Sequence, residues 1–187
     1  SELFKGKTNF NDDISNWDVS NVTNMKNMFY NAKLFNKSIA SWDVSNVTNM
    51  SYMFAYSESF NQPLSSWNVS NVTNMEGMFW SAESFNQPLN NWDVSNVTNM
   101  VRMFSYARSF NQPLNNWDVS NVVNMSLMFY IAQSFNQDIS TKEITKEDGS
   151  QYLADWDISN LKYIAWNVSN VTNMENMFES AKSFNQD

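Results

Sequence analysis

A repeat of constant length constrains this chain more than any other feature. Phenylalanine recurs every 25 residues, at Phe10, Phe35, Phe60, Phe85, Phe110 and Phe135. Tryptophan and methionine recur at the same interval, and the unit reads F-N-Q-P-L-x-x-W-D-V-S-N-V-T-N-M-x-x-M-F-x-x-A-x-S. Such a period is typical of repeat architectures, in which one unit cannot bury its apolar edge alone and stacks on its neighbours.

The two halves of the unit have different apolar spacings. In the first half, Ile14, Trp17 and Val19 follow the L-x-x-L-x-L spacing of a leucine-rich repeat, and W-D-V alternates as a short strand does. In the second half, the apolar residues of 25–32 lie at i, i+3, i+4 and i+7, which favours a short helix with Thr23 as its N-cap. We therefore predict an α/β solenoid, a leucine-rich-repeat-like stack of 25-residue coils with short parallel strands on one face and short helices on the other.

The repeat predicts one repeat domain, residues 1–187, with a single interruption. The Glu-Asp-Gly-Ser sequence at 147–150 is typical of a hairpin turn, and a partial W-D-I-S-N echo follows at 156–160. Both ends of the chain fall inside a unit, so we expect a longer parent protein. The parts of the domain are regular coils at 10–134, an irregular hairpin-containing coil at about 142–165 and a final coil at 166–187.

Composition argues against several classes of function. The chain has no His and no Cys, so it lacks the commonest general base, thiol nucleophiles and thiolate metal ligands. We expect no cofactor and no bound metal. A net charge of −8 and a pI near 4.4 argue against nucleic-acid binding, which needs clustered Lys and Arg. No apolar run approaches the roughly 18 residues of a membrane span, so we expect no membrane insertion by this segment.

The units also resemble a known family. The strings W-D-V-S-N-V-T-N-M-x-x-M-F and S-F-N-Q-P-L-N-N resemble those of BspA-type leucine-rich-repeat surface proteins, a group that includes repeat-bearing surface lipoproteins of mycoplasmas. The resemblance covers essentially the whole chain and is weakest over 142–165. It implies a cell-surface or secreted location and adhesion to host or neighbouring-cell molecules, and it supplies no catalytic residues.

Comparison of the units with one another separates core positions from variable ones. The variable positions of the predicted helix face away from its apolar stripe. They are rich in Tyr and Trp, which supply large contact area in recognition surfaces at low entropic cost. Unconstrained drift of exposed positions explains the variation equally well, although drift alone favours Lys, Glu, Ser and Asn. The candidate partner-binding residues are Tyr30, Tyr52, Tyr56, Trp80, Arg102, Tyr106, Leu127, Tyr130 and Ile131.

A second candidate stripe lies on the predicted strand face. We expect its carboxylates to accept hydrogen bonds within local turns. A calcium site and a glycosidase-like carboxylate pair are weaker alternatives, because the acidic spacing of a calcium loop is absent and equivalent carboxylates do not separate two pKa values. Ice binding by the exposed Thr file is weaker still, because Val123 interrupts that file. The stripe comprises Asp18, Asp43, Asn68, Asp93 and Asp118.

Together these features predict a non-enzymatic binding or adhesion module of a bacterial cell-surface protein. Its expected partner is an extracellular protein or glycan, recognised through the variable aromatic residues of the helical face. The alternative is a structural spacer or stalk with no ligand of its own. The aromatic variable positions favour the first, because a spacer has no use for them.

Overall fold

The computed structural model describes residues 2–145 and 162–186. In these residues the chain winds into coils that bond to one another through the backbone. The Met25 N–H donates to the Asn49 carbonyl at 2.8 Å, and the Met50 N–H donates to the Asn74 carbonyl at 3.0 Å. Parallel bridges join successive coils at one residue per unit, namely Asn24, Asn49, Asn74, Asn99, Asn124 and Asn173.

The predicted α/β solenoid, with its leucine-rich-repeat alternation of strand and helix, is wrong. The described residues contain no helix, and their only strands are β1 (Lys142–Thr145) and β2 (Lys162–Ala165). These two strands pair antiparallel, with Lys142 opposite Ala165. The regular coils themselves consist of turns and bends.

The segment predicted as a helix, residues 25–32, is a succession of turns. Met28 N–H donates to the Met25 carbonyl at 3.1 Å, and Asn27 in this turn has a left-handed φ of 56°. The Asn27 N–H then bonds to the next coil, at the Ser51 carbonyl, 3.0 Å away. Two consecutive turns repeat apolar residues at spacings of three and four, as a helix does. The neighbouring coil satisfies the backbone groups, whereas an isolated eight-residue helix is marginal in water.

The predicted helix N-cap at Thr23 is wrong for the same reason, because no helix begins there. The Thr23 carbonyl instead accepts two hydrogen bonds from Thr48, one from the backbone N–H at 2.8 Å and one from Oγ1 at 3.2 Å. The same pair of bonds joins Thr48 to Thr73. The Thr file therefore links coil to coil.

The predicted W-D-V strand is replaced by two turns. In the second coil, Trp42 N–H donates to the Ile39 carbonyl at 3.1 Å and Val47 N–H donates to the Val44 carbonyl at 2.9 Å. Contact with the preceding coil comes from a side chain, because Trp42 Nε1 donates to the Ile14 carbonyl at 3.1 Å. The indole N–H thus joins this part of the coil to the preceding one, as backbone hydrogen bonds between strands do in a β-sheet. Its equivalents Trp67, Trp92, Trp117 and Trp166 make the same type of bond.

Two parallel columns of phenylalanine rings form the centre of the stack. Neighbouring rings are 5.4–5.7 Å apart in the first column and 5.5–6.1 Å apart in the second. Each fully buried ring contributes about 1.5–3 kcal/mol through removal from water. The first column is Phe4, Phe29, Phe54, Phe79, Phe104, Phe129 and Phe178; the second is Phe10, Phe35, Phe60, Phe85, Phe110, Phe135 and Phe184.

Asparagine and glutamine side chains bond one corner of each coil to the next. Asn36 Oδ1 accepts from the Asn61 N–H and from Gln62 Nε2, both at 3.0 Å. Asn86 Oδ1 does the same for Asn111 and Gln112. This amide ladder accounts for part of the Asn richness of the chain, because every coil needs an acceptor at this corner.

The final coil stacks directly on the fifth. The Met125 N–H donates to the Asn173 carbonyl at 3.0 Å, and the Phe129 N–H donates to the Met177 carbonyl at 2.9 Å. The two coils are therefore neighbours in space, although equivalent residues of theirs are 49 apart in sequence. The turn predicted at 147–150 and the echo predicted at 156–160 lie outside the described residues.

Candidate binding surface

One aromatic side chain from each of the first five coils lies on the same side of the stack. Ring centroids are 5.5 Å apart for Tyr30 and Tyr56, 4.7 Å for Tyr56 and Trp80, and 5.5 Å for Tyr106 and Tyr130. Burial raises the pKa of Tyr56, and the neighbouring phenols of Tyr30 and Tyr106 raise it further. We call this surface the aromatic band: Tyr30, Tyr56, Trp80, Tyr106 and Tyr130.

The rings of the aromatic band alternate between two adjacent positions of the repeat. The first, third and fifth coils carry the ring at the position of Tyr30, and the second and fourth carry it one residue later. In those second and fourth coils, the position left by the ring holds a small residue, Ala55 or Ser105, which is buried. The ring therefore alternates between the two positions along the stack, a zigzag that gives one ring to each of the first five coils.

A second group of side chains lies beside Trp80. The Tyr52 ring is 6.2 Å from Trp80, and its hydroxyl donates a short hydrogen bond to Glu76 Oε1. Burial and this hydrogen bond raise the pKa of Tyr52. Asn99 Nδ2 donates to the other carboxylate oxygen of Glu76 at 3.4 Å, so both oxygens of Glu76 have partners within the protein.

Three cations lie over rings of the aromatic band. The Nζ of Lys5 is 5.8 Å from the Tyr30 centroid. The guanidinium carbons of Arg102 and Arg108 are each 5.9 Å from a ring, Trp80 and Tyr106 respectively. Such contacts contribute about 0.5–1 kcal/mol at exposed sites. The band therefore combines aromatic rings with three positively charged side chains, one of them over its middle ring, Trp80.

Most of the predicted partner-binding residues lie on strained backbone. Six of them have φ between 55° and 59°, in the left-handed region that disfavours residues with a Cβ by about 1–2 kcal/mol each. Bonds between coils hold this conformation; for example, the Tyr56 N–H donates to the Trp80 carbonyl at 2.7 Å. The equivalent residues of other coils, such as Asn31 and Ser81, share this conformation, so it belongs to the repeat as a whole. The six residues are Tyr52, Tyr56, Arg102, Tyr106, Leu127 and Ile131.

All nine predicted residues are half-buried and lie on successive turns instead of on a helical face. The structure brings seven of them into the aromatic band or against it, and Leu127 and Ile131 occupy the equivalent variable positions of the fifth coil. Sequence reasoning missed Glu76, Gly77, Lys5 and Arg108. Gly77 could have been singled out from the sequence, because it is the one glycine at a position that carries larger residues in the other regular coils, including Tyr52 in the coil before it.

The second candidate stripe forms a row of capped turns. Asp18 Oδ1 accepts from the Ser20 N–H at 3.0 Å and from Ser20 Oγ at 2.7 Å. The Ser20 hydroxyl, then its N–H, lowers the pKa of the Asp18 carboxyl. Asn68 accepts the same two bonds from Ser70. Asp43, Asp93 and Asp118 each accept from the serine two residues later.

Two findings concern other kinds of site. The part of the chain that the structure describes contains no group of three or more His, Cys, Asp or Glu placed to hold a metal ion. It also offers no helix with the length and apolar character needed to cross a bilayer.

Stacked, near-identical coils with a variable surface define a tandem-repeat protein. The chain belongs to the family described as Mycoplasma protein of unknown function, DUF285, which matches residues 1–100, 64–161 and 159–187. No curated protein and no solved structure matches the chain. The family match agrees with a mycoplasma-type repeat protein. It does not identify the units as BspA-type leucine-rich repeats.

Proposed function

We propose that this domain is a non-enzymatic binding or adhesion module of a mycoplasma-type surface protein, and that it recognises an extracellular protein or glycan through the aromatic band. One observation carries the proposal: half-exposed Tyr and Trp rings run from coil to coil at positions that otherwise vary. The core positions, by contrast, hardly change between units. A contiguous apolar patch on a protein surface typically marks an interaction site.

The composition of the aromatic band supports recognition. Tyr and Trp bury large areas and lose few rotamers on binding, and with Arg they dominate the energetic centres of interfaces. Trp80 has Tyr52, Tyr56 and Arg102 around it, the arrangement expected of such a centre. The resemblance to BspA-type surface proteins supports a cell-surface or secreted location, which is part of the proposal.

A binding assay on the full chain tests the proposal. Purified protein is applied to cultured animal cells, immobilised extracellular-matrix proteins and a glycan array. We expect binding to at least one of these, and we expect Trp80→Ser with Tyr106→Ser to weaken it about tenfold or more, as loss of an interface centre does. Circular dichroism and thermal unfolding confirm that each variant remains folded.

Matched controls come from exposed apolar residues outside the aromatic band. Leu34 and Val123 are 52% and 46% exposed, and neither belongs to the band or to the group beside Trp80. Leu34→Ser with Val123→Thr removes exposed apolar surface elsewhere on the stack and is expected to leave binding unchanged. Equal loss in both double variants contradicts recognition by the band. Absence of binding on all three surfaces favours the spacer.

A further inference from the structure

The three cations over the aromatic band differ in one respect. Lys5 Nζ is 2.9 Å from a Glu2 carboxylate oxygen, and Arg108 Nε is 3.5 Å from one of Glu83. In the part of the chain that the structure describes, Arg102 forms no ion pair within 4.0 Å and no side-chain hydrogen bond. Among the described residues, Arg102 is therefore the band cation whose side-chain N–H donors are available.

The carboxylate of the group beside Trp80 is already engaged. Glu76 accepts hydrogen bonds from the Tyr52 hydroxyl and from Asn99, one on each of its oxygens. The chain holds 19 acidic and 11 basic residues, so its own carboxylates outnumber its cations. Arg102 nevertheless pairs with none of the described carboxylates, although it lies beside Trp80 in the middle of the band.

The position of the guanidinium prepares it for an external partner. It lies over Trp80, 5.9 Å from the ring centroid, and the Arg102 side chain is half-buried. A planar guanidinium presents N–H donors in a fork that matches a carboxylate in two parallel hydrogen bonds. Nearby aromatic surface lowers the local dielectric and strengthens such a pair.

We propose that Arg102 binds a carboxylate from an acidic segment of a protein partner, with Trp80, Tyr56 and Tyr52 as the surrounding contact surface. The proposal rests on the proposed function and specifies its partner. The positive charge of Arg102 is the reason for proposing a carboxylate as its partner. Among the described residues, the cation at the centre of the band has no ion-pair partner, whereas the cations at Tyr30 and Tyr106 each have one.

The orientation of the rings favours a protein over a glycan. Ring planes meet at 55° for Tyr56 and Trp80, at 59° for Tyr52 and Trp80, and at 66° for Tyr30 and Tyr56. These angles give a corrugated surface of edges and hydroxyls instead of a flat platform on which sugar rings stack. Corrugated aromatic surfaces with polar tips interdigitate well with side chains at protein interfaces.

The test uses a phage-displayed library of random peptides selected on the full chain, followed by affinity measurements on synthetic peptides. We expect selected peptides to be enriched in Asp or Glu. Arg102→Asn is the variant, because the first coil carries Asn27 at the equivalent position with the same left-handed backbone. It is expected to weaken peptide binding roughly 10- to 100-fold, the range of a charged hydrogen bond.

Two comparisons isolate the carboxylate contact. Changing the peptide Asp or Glu to its amide is expected to weaken binding by a similar factor, and the two changes together are expected to cost no more than either alone. Lys37→Gln is the matched control, because Lys37 is an exposed cation outside the aromatic band and has no ion pair within 4.0 Å among the described residues. The next coil carries Gln62 at that position, and we expect the control to bind within about twofold of the parent.

Other outcomes would overturn different parts of the proposal. Peptides whose binding requires Trp80 but not Arg102 overturn the carboxylate contact and leave band recognition intact. Arg102-dependent binding of sialylated or uronate glycans, without selection of acidic peptides, overturns the protein partner. Peptide binding that is unaffected by both Trp80→Ser and Arg102→Asn overturns the proposed function itself.

Discussion

The ring of Tyr52 lies directly against the backbone of Gly77. A Cβ placed on Gly77 would come within 2.5 Å of both Cδ1 and Cε1 of Tyr52. Gly77 has a left-handed φ of 57°, and its equivalents Asn27 and Arg102 share this conformation. Glycine is therefore needed here for the space it leaves to the ring, since other residues in the same file tolerate the backbone.

Gly77→Ala is expected to displace Tyr52 and break its hydrogen bond with Glu76. The combined overpacking and backbone strain should lower the free energy of unfolding by about 2–4 kcal/mol. In a Tyr52→Ser background the ring is gone, and only the backbone cost of about 1–2 kcal/mol remains. Urea unfolding of the parent, the two single variants and the double variant measures both values. Equal cost in the two backgrounds would contradict the contact.

Two buried serines of the second coil are expected to respond in opposite directions to alanine. Ser51 Oγ is buried without a hydrogen-bond partner among the described residues, so Ser51→Ala should raise the free energy of unfolding by about 1 kcal/mol. Ser57 Oγ donates to the Phe29 carbonyl at 2.7 Å, so Ser57→Ala should lower it by about 1 kcal/mol. Denaturant midpoints measure both changes. A loss of stability in Ser51→Ala would indicate a partner for its hydroxyl.

Acid should destabilise the fold through the capped Asp turns. Ser45, by its hydroxyl first and then its N–H, lowers the pKa of Asp43 from its ordinary value of 3.8. A lowered folded pKa stabilises the fold fully above the ordinary value, and this contribution is lost as pH falls through the folded pKa. Asp43→Asn should fold and show a smaller loss of stability between about pH 4 and pH 2.

The reverse substitution, from Asn to Asp, is the control for the loss of stability in acid. The third coil carries Asn68 at the same position, where it accepts bonds from the N–H and the hydroxyl of Ser70. Asn68→Asp should therefore fold and make stability more sensitive to acid. Urea midpoints measured from about pH 5 to about pH 2 compare the two variants with the parent. Parallel curves for all three would exclude these turns as the source of acid sensitivity.

The amide ladder predicts that loss of a single acceptor oxygen destabilises the fold. Asn86 Oδ1 accepts from the Asn111 N–H at 2.9 Å and from Gln112 Nε2 at 3.1 Å. Asn86→Ala removes both bonds and should lower the free energy of unfolding by about 1–3 kcal/mol. Asn86→Asp keeps the acceptor oxygen and should cost less. An Asp variant as unstable as the Ala variant would show that the amide group, and not the acceptor, matters.

The stacking register was accessible from the sequence, because apolar residues 25 apart can be buried only against one another. The path of the backbone within a unit was not. The apolar spacing over residues 25–32 fits a helix and a pair of turns equally well, and the choice depends on whether Asn27 N–H bonds within its own coil or to Ser51 of the next. Contacts with the neighbouring coil decide between helix and turns, and helix propensity and apolar periodicity contain no information about those contacts.

The sequence could predict that the variable positions share one surface, but not the element that carries them. Tyr56 and Trp80 lie side by side on turns and not on the predicted helix, and their role in binding stays a prediction. Pairing between coils was harder to foresee. Among the described residues, Arg108 forms an ion pair with Glu83 and Arg102 forms none, and this difference depends on side-chain directions that apolar periodicity does not specify.

The alternation of rings between two positions has a consequence for how such arrays change in length. Gain or loss of one 25-residue unit by recombination preserves the pattern of bonds between coils. It nevertheless brings two rings of the same position together; excision of residues 60–84, for example, places Tyr56 beside Tyr106. Only an even number of units restores the zigzag. Loss or gain of a single unit therefore keeps the stacking of the backbone, whereas the alternation of rings on the surface is kept only when units are lost or gained in pairs.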